Sequence, residues 1–127
     1  MIMRKLLLYF GLTAILFLCA GCGSGCKKVT DNFMKCMEKQ DYDRASAYCG
    51  FSKDAEAQEM TINAMLEYFG TNIRTHEIVN DSILPDGEHA IVTIHLTRNN
   101  NIREMDVPVF LDRRDGTWYV NPFIREY

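Results

Sequence analysis

The chain has 127 residues, of which 47% are hydrophobic and 24% are charged. This balance fits a single folded domain and excludes long disordered or collagen-like segments. The formal net charge is −3, and no segment interleaves basic with aromatic residues, so the composition gives no support for nucleic-acid binding. Loss of residues 1–21 would remove Arg4 and Lys5 and change the net charge from −3 to −5.

Residues 1–21 have the three-part order of a secretory signal peptide. Arg4 and Lys5 precede a mostly apolar run over residues 6–18, and small residues follow it. This run is shorter than the roughly 20 residues that a transmembrane helix needs. We therefore predict that residues 1–21 are removed from the mature protein.

The end of this segment, Leu18-Cys19-Ala20-Gly21-Cys22, resembles a bacterial lipobox, although Cys19 stands where Leu is usual. The resemblance implies that Cys22 carries a diacylglyceryl group and an amide-linked fatty acid such as palmitate, which together hold a protein stably on a membrane. Cys26 after Gly25 is a second, poorer candidate. An ordinary cleaved signal peptide is the alternative interpretation.

Residues 22–28 are predicted to form a lipidated tether, because Gly23, Ser24 and Gly25 are flexible and Lys27 and Lys28 suit an anionic surface. Gly23 after the lipidated cysteine resembles sorting to the outer membrane. We expect the protein in the bacterial cell envelope, anchored in the outer membrane and facing the periplasm, with residues 29–127 as one domain.

Three cysteines remain after cleavage and acylation: Cys26, Cys36 and Cys49. Cys36 and Cys49 fall on the buried faces of two adjacent predicted helices, so a disulfide between them and two buried thiols are both open interpretations. No CxxC spacing occurs, so a zinc ribbon or a thioredoxin-type site is not predicted.

The apolar spacing predicts three helices, over residues 29–40, 41–49 and 52–69. Thr30 and Ser52 are candidate N-terminal caps, and Gly50 and Gly70 end the second and third helices.

The spacing then changes to a period of two and predicts strands over residues 73–84, 89–97, 102–112 and 117–123. Four-residue loops would keep the apolar residues of the last three strands on one face. These inward residues are Ala90, Val92, Ile94, Leu96, Met105, Val107, Val109, Leu111, Trp118 and Val120. In the irregular first strand, Asp81 falls between the inward positions Val79 and Ile83, so a bulge is expected there.

The predicted fold class is α+β, with three N-terminal helices packed on one face of a four-stranded antiparallel meander. The run Gln40-Asp41-Tyr42-Asp43-Arg44-Ala45 and the hairpin Asp115-Gly116-Thr117-Trp118 resemble small bacterial lipoproteins with a nuclear-transport-factor-2-like domain. The resemblance covers nearly the whole mature chain and implies a fold and a location. Most such lipoproteins have no assigned activity.

Enzymes of this fold, such as ketosteroid isomerase, place titratable groups on the inner face of the sheet. None of the predicted inward residues is titratable except Asp81, and His76 receives no role. We therefore predict no catalytic residue, metal site or cofactor.

The outward sheet face is the predicted interaction surface, formed by Ile91, His95, Phe110 and Tyr119. His95 is expected opposite Glu104, or opposite Asp106 if the turn is longer. A homodimer through this face, an envelope protein or a small ligand are the expected partners besides the membrane.

Ser82 lies in an Asp-Ser-Ile sequence that resembles a bacterial O-glycosylation acceptor. The predicted function is a lipid-anchored, non-catalytic binding or protein-interaction module. A small-molecule isomerase or dehydratase is the alternative, and a purely structural or toxin-immunity lipoprotein is a third class.

Overall fold

The computed structural model describes residues 25–99 and 104–127, so residues 1–21 and the lipidation residue Cys22 lie outside the described part. Within it, three helices precede a curled four-stranded antiparallel sheet, which confirms the predicted α+β class. Helix α1 covers residues 25–38, α2 Tyr42–Ala47 and α3 Ala55–Phe69. The strands are β1 (Ile73–Ile83), β2 (His89–Arg98), β3 (Met105–Arg114) and β4 (Thr117–Val120), in the order β1-β2-β3-β4. No helix of the described ranges is long and apolar enough to span a membrane.

Aspartate side chains cap two of the helices. Asp41 accepts a hydrogen bond from the Arg44 amide at 3.3 Å, and Asp54 accepts one from the Ala57 amide at 2.8 Å. The cap of α3 is therefore Asp54 rather than Ser52. Gly70 ends α3 as predicted, since its φ of 77° suits glycine.

Residues 25–28 belong to the folded body, whereas the sequence predicted a tether over residues 22–28. Residues 25–28 are helical, and Cys26 is fully buried in the core. Gly25 packs so closely on β4 that an added Cβ would lie 3.2 Å from Cδ1 of Trp118. Thr30 lies inside α1 and donates its hydroxyl to the Cys26 carbonyl at 2.8 Å, so it is not a cap.

The last three strands keep their predicted inward faces, but their pairing register and their turns differ from the prediction. His95 lies opposite Asp106, and Arg114 lies opposite Thr117. Asp115 and Gly116, with φ values of 51° and 80°, form a two-residue turn instead of a four-residue loop. Each pairing is displaced by an even number of residues from the prediction, so no side chain changes face.

Strand β1 has two irregularities in its pairing with β2, one between Ile73 and Thr75 and one between Ile78 and Asn80. The second confirms the bulge expected near Asp81. Val79 is the extra residue there and is 48% exposed, so its predicted inward position is wrong.

The core joins helix and sheet residues in one cluster. The even-numbered residues of β2 from Ala90 to Leu96 are fully buried, and the Phe33 and Phe69 rings of α1 and α3 lie 5.4 Å apart. Met105, the first residue of β3 and predicted inward, is 46% exposed, so that prediction is wrong.

Candidate functional site

A histidine between two carboxylates lies where α1 meets β1. His76 Nε2 is 2.7 Å from Asp31 Oδ1, and its Nδ1 is hydrogen-bonded to Glu38 Oε2. Only 7% of the His76 side chain is exposed, against 39% for Asp31 and 24% for Glu38. We call Asp31, Glu38 and His76 the imidazole latch.

The β1 irregularities explain why His76 points inward. Between the two register shifts, His76 pairs with Leu96, and directly opposed residues share a face of the sheet. Leu96 is fully buried on the inner face. Asp31 and Glu38 are seven residues apart on α1, so they project from the same side of the helix and bracket the ring.

The two hydrogen bonds of the imidazole latch need two protons, one for each ring nitrogen. A carboxylate can only accept hydrogen bonds, whereas a neutral imidazole has one N–H. Two imidazole–carboxylate bonds therefore need either an imidazolium or one protonated carboxyl. Burial raises the pKa of Asp31, but hydrogen bonds from His76 and Lys35 outweigh burial and leave that pKa below its usual value. Both ring nitrogens are occupied, so the latch has no free nitrogen to accept a substrate proton.

Asp81 provides a second polar contact between α1 and β1. It pairs with the buried Val92, so it points inward as predicted. Its Oδ1 lies 3.8 Å from Nζ of Lys27 on α1. The sole inward acid predicted from the sequence is thus an ion-pair partner of α1.

The sequence reasoning missed the latch because a strict two-residue alternation in β1 cannot place His76. A usable signal was present on α1, where Asp31 and Glu38 share one side of a helix that buries six of its fourteen residues. Two acids on that side require a polar partner from the element beneath them.

The outer sheet face is partly covered by the C-terminal residues, which corrects the predicted interface. Phe110 is only 6% exposed, because the Tyr127 ring packs edge-on against it with ring centroids 5.2 Å apart. The Tyr127 hydroxyl donates to the Leu111 carbonyl at 2.8 Å and to Asp112 Oδ1 at 2.6 Å. Burial, and next the Asp112 carboxylate, raise the pKa of Tyr127.

Tyr119 is half-buried, and its ring already contacts Arg114. The Arg114 guanidinium lies 4.3 Å from the Tyr119 ring and 4.4 Å from the Phe51 ring, between the two aromatic rings. Arg114 also donates to the Cys49 carbonyl at 2.6 Å, which fixes the segment after α2 against the end of β3.

Ile91 and His95 remain partly exposed on the outer face. The His95 ring nitrogens lie 2.7 Å from Glu104 and 2.7 Å from Asp106, so both acids predicted as alternatives are partners. Hydrogen bonds to Glu104 and Asp106 raise the pKa of His95.

The other residues that the sequence analysis singled out, Cys36, Cys49 and Ser82, do not form a common site. Cys36 and Cys49 are free, buried thiols, so the disulfide interpretation is wrong for this structure. Each thiol packs as a small apolar member of the core, and burial raises the pKa of Cys49 to about 12.

Ser82 is exposed on β1 opposite Ile91. No group of three or more His, Cys, Asp or Glu residues within 25–99 and 104–127 is arranged to hold a metal ion.

Comparisons with known proteins bear on the fold. No family model and no curated protein matches the chain. A crystal structure from Campylobacter jejuni, provisionally assigned as an NTF2-like transpeptidase, is similar with a TM-score of 0.51 and 19% identity. The match covers 75% of this chain and 95% of the other. At this identity the likeness shows a fold similar to that nuclear-transport-factor-2-like (NTF2-like) structure and says nothing of activity.

Proposed function

We propose that this chain is a lipid-anchored protein of the bacterial cell envelope, held at the periplasmic face of the outer membrane, with a non-catalytic binding or interaction domain. The observation that carries the proposal is the lipobox-like end of residues 18–22, followed at once by a folded NTF2-like body from residue 25. Two or more acyl chains are enough to hold a soluble domain on a membrane.

The structure supports Cys22 over Cys26 as the acylated residue. Cys26 is fully buried in the core of the domain, so a diacylglyceryl group on its sulfur would have to displace core side chains. Cys22 lies three residues before Gly25 and stands where the lipobox-like sequence places the acylated cysteine.

The inner face of the sheet supports a non-catalytic role. Its β2 positions are apolar, and in the imidazole latch each histidine nitrogen is already bonded to a carboxylate. A general base needs a free lone pair within reach of the substrate proton. We further propose that the three helices cover this inner face, which the packing of Phe33 on Phe69 and the burial of β2 support.

The lipid anchor is tested by intact-mass measurement of the native protein and of two variants. The mature wild-type protein is expected to start at Cys22 and to carry the mass of the acyl groups. Cys22→Ser is expected to accumulate as an uncleaved precursor without lipid, whereas Cys26→Ala keeps the lipid. A lipid-free native polypeptide would refute the anchor.

The interaction role is tested by affinity purification of the tagged native protein from envelope extract. Recovery of a defined envelope protein supports an interaction module. On the outer face, Ile91, His95 and Tyr119 are the predicted interface residues that stay partly exposed, and Ile91→Arg is expected to abolish such recovery. Recovery that Ile91→Arg leaves unchanged would exclude this face.

The imidazole latch is the observation that favours the alternative, a small-molecule isomerase or dehydratase. It is the convergent set of titratable groups that such an enzyme would need, and a substrate would have to replace one carboxylate partner of His76. Native mass spectrometry distinguishes an enzyme from a non-catalytic module. An enzyme is expected to retain a small molecule that His76→Gln loses and His95→Gln retains, whereas a non-catalytic module shows no such difference.

A further inference from the structure

One histidine of the described residues has a ring nitrogen without a hydrogen bond. Both nitrogens of His76 and of His95 are hydrogen-bonded to carboxylates. In His89 only Nδ1 is, to Oδ2 of Asp86 at 2.6 Å. Its Nε2 lies 3.9 Å from Oδ1 of Asp112, which is too far for a hydrogen bond. The His89 side chain is 38% exposed, so the ring is open to a solute.

Asp86 fixes both the orientation and the tautomer of the His89 ring. Its Oδ1 accepts hydrogen bonds from the backbone amides of Glu88, at 2.9 Å, and of His89, at 3.2 Å. Because a carboxylate only accepts hydrogen bonds, Nδ1 carries the ring proton, and Nε2 carries the lone pair of the neutral imidazole. Histidines that bind metal ions almost always donate their second ring N–H in this way, often to a carboxylate.

Two oxygen atoms lie beside this nitrogen on the outer face of the sheet. Oδ1 of Asp112 is 2.6 Å from the Tyr127 hydroxyl, and the Tyr127 and His89 ring centres are 4.6 Å apart. Asn121 donates to Oδ2 of Asp112 at 2.6 Å and holds the carboxylate in place. We call His89, Asp112 and Tyr127 the outer site.

The spacing of the outer-site atoms suits tetragonal coordination of a transition-metal ion. Metal bonds of about 2.05 Å to nitrogen or oxygen put opposite donors about 4.1 Å apart and adjacent donors about 2.9 Å apart. The observed distances are 3.9 Å from His89 Nε2 to Asp112 Oδ1 and 2.6 Å from that oxygen to the Tyr127 hydroxyl. They match an opposite and an adjacent pair to within about 0.3 Å.

The charges around the outer site favour a cation. Asp86 and Asp112 lie 2.6 Å and 3.9 Å from the histidine nitrogens, and Glu88 is exposed in the adjoining turn. The basic residues of this region are Arg113, Arg114 and Arg125. Each guanidinium lies over an aromatic ring, and none forms an ion pair with a carboxylate of the described residues. Their charge therefore leaves these carboxylates free to attract a metal ion.

We propose that the outer site binds copper(II) through Nε2 of His89, a carboxylate oxygen of Asp112 and the phenolate oxygen of Tyr127. The phenol proton passes to solvent as the metal–oxygen bond forms. Burial and the Asp112 carboxylate raise the pKa of Tyr127, so the phenol keeps its proton until a bound cation replaces it.

Copper(II) is the ion that this donor set suits best. Tetragonal sites of nitrogen and oxygen donors are typical of copper(II), which also binds most tightly among the first-row divalent ions. One of the three donors is a phenol, so the outer site differs from a cluster of His, Cys, Asp and Glu residues, of which 25–99 and 104–127 hold none suited to a metal. The site adds metal binding to the proposed interaction domain.

Titration of the metal-free native protein with copper(II) tests the proposal. We expect one equivalent to bind, with a tetragonal signal in electron paramagnetic resonance and a visible charge-transfer band from the copper-bound phenolate. Tyr127→Phe keeps the ring that packs on Phe110 and is expected to lose this band. A band that Tyr127→Phe retains would refute coordination by the phenolate.

The other donors are tested by their effect on affinity. His89→Gln and Asp112→Asn are each expected to lower the affinity for copper(II) at least about tenfold, and Asp86→Ala, which removes the orienting carboxylate, by about 10- to 100-fold. His95→Gln is the matched control and is expected to leave the affinity unchanged, because carboxylates occupy both ring nitrogens of His95. Equal losses in His89→Gln and His95→Gln would overturn the site.

Thermal melts with and without copper(II) give a second measurement and check that each variant folds. A ligand that binds only the folded state raises Tm in proportion to the logarithm of its affinity. We expect copper(II) to raise the Tm of the wild type and of His95→Gln, and to raise that of His89→Gln less. An equal rise in all variants would mean that copper(II) binds elsewhere on the chain.

Discussion

Replacement of His76 by glutamine tests whether the imidazole latch fastens α1 to β1. The imidazole nitrogens are hydrogen-bonded to Asp31 Oδ1, at 2.7 Å, and to Glu38 Oε2. Glutamine keeps a similar length and polarity, but its amide presents a carbonyl oxygen on one side and hydrogen-bond donors on the other. One carboxylate would then face an oxygen instead of an N–H.

The expected loss follows from the burial of the three groups. A hydrogen bond to a charged group contributes about 1.5–3 kcal/mol to stability. The His76 side chain is 7% exposed, but Asp31 is 39% and Glu38 is 24% exposed, so water can solvate the released carboxylate. We therefore expect His76→Gln to lower the free energy of unfolding by about 2 kcal/mol. For a domain of this size, that corresponds to a fall in Tm of about 10 °C.

His95→Gln is the control for the same substitution at a histidine with the same number of carboxylate partners. The His95 side chain is 37% exposed, so solvent already screens its ion pairs. We expect its unfolding midpoint to stay at the wild-type value in urea and thermal melts followed by circular dichroism at pH 7. Equal shifts for the two variants, or no shift for His76→Gln, would refute the reasoning from burial.

Three further predictions concern acid stability, backbone strain and surface charge. Because the pKa of Asp31 is lowered in the folded state, its ionised form stabilises the fold at pH values above 3.8, and this stabilisation is lost as the pH falls through the folded pKa. In urea melts below about pH 4, the free energy of unfolding should therefore fall less steeply with pH in Asp31→Asn than in the wild type. Gly50→Ala should destabilise the fold more than Gly87→Ala in the same melts: both glycines have a φ of 71°, but only at Gly50 would the new Cβ lie 2.6 Å from Tyr119. The two carboxylate partners raise the pKa of His95, so its protonated form stabilises the fold below pH 6.5, and this stabilisation is lost as the pH rises through the folded pKa. The midpoint of its titration in proton NMR should lie above pH 6.5 and fall towards that value in 1 M salt.

The sequence predicted the faces of the last three strands because side-chain direction in a strand has a period of two. The real turns differ from the predicted four-residue loops, since Arg114 pairs with Thr117 and His95 with Asp106. Both differences displace the pairing by an even number, so Val92, like the other predicted inward residues of β2, remained inward. The hydrophobic alternation fixes which face is buried and leaves the length of the turn undetermined.

The two-residue period of the strands could place neither His76 in the imidazole latch nor Tyr127 over Phe110, because neither contact follows that period. The register shift at Val79 changes which β1 residues point inward, and His76 becomes inward only between two such shifts. Tyr127 covers Phe110 through a fold-back contact between distant residues of the chain, for which a sequence pattern gives no indication. Phe110, one of the four residues of the expected interface, is therefore buried.

Strand β1 is an edge strand, and its contacts with α1 should be the weakest part of the fold. Of its eleven residues only Ile73 is buried, so apolar packing contributes little there. The polar contacts of His76 and Asp81 with α1 take its place, and the contribution of such contacts depends on protonation and salt. In hydrogen exchange, the amides of β1 should therefore exchange faster in His76→Gln than in the wild type, whereas the amides of β2 and β3 exchange faster only through global unfolding. Equal acceleration across all strands would mean that the latch stabilises the whole domain and does not fasten α1 to one edge.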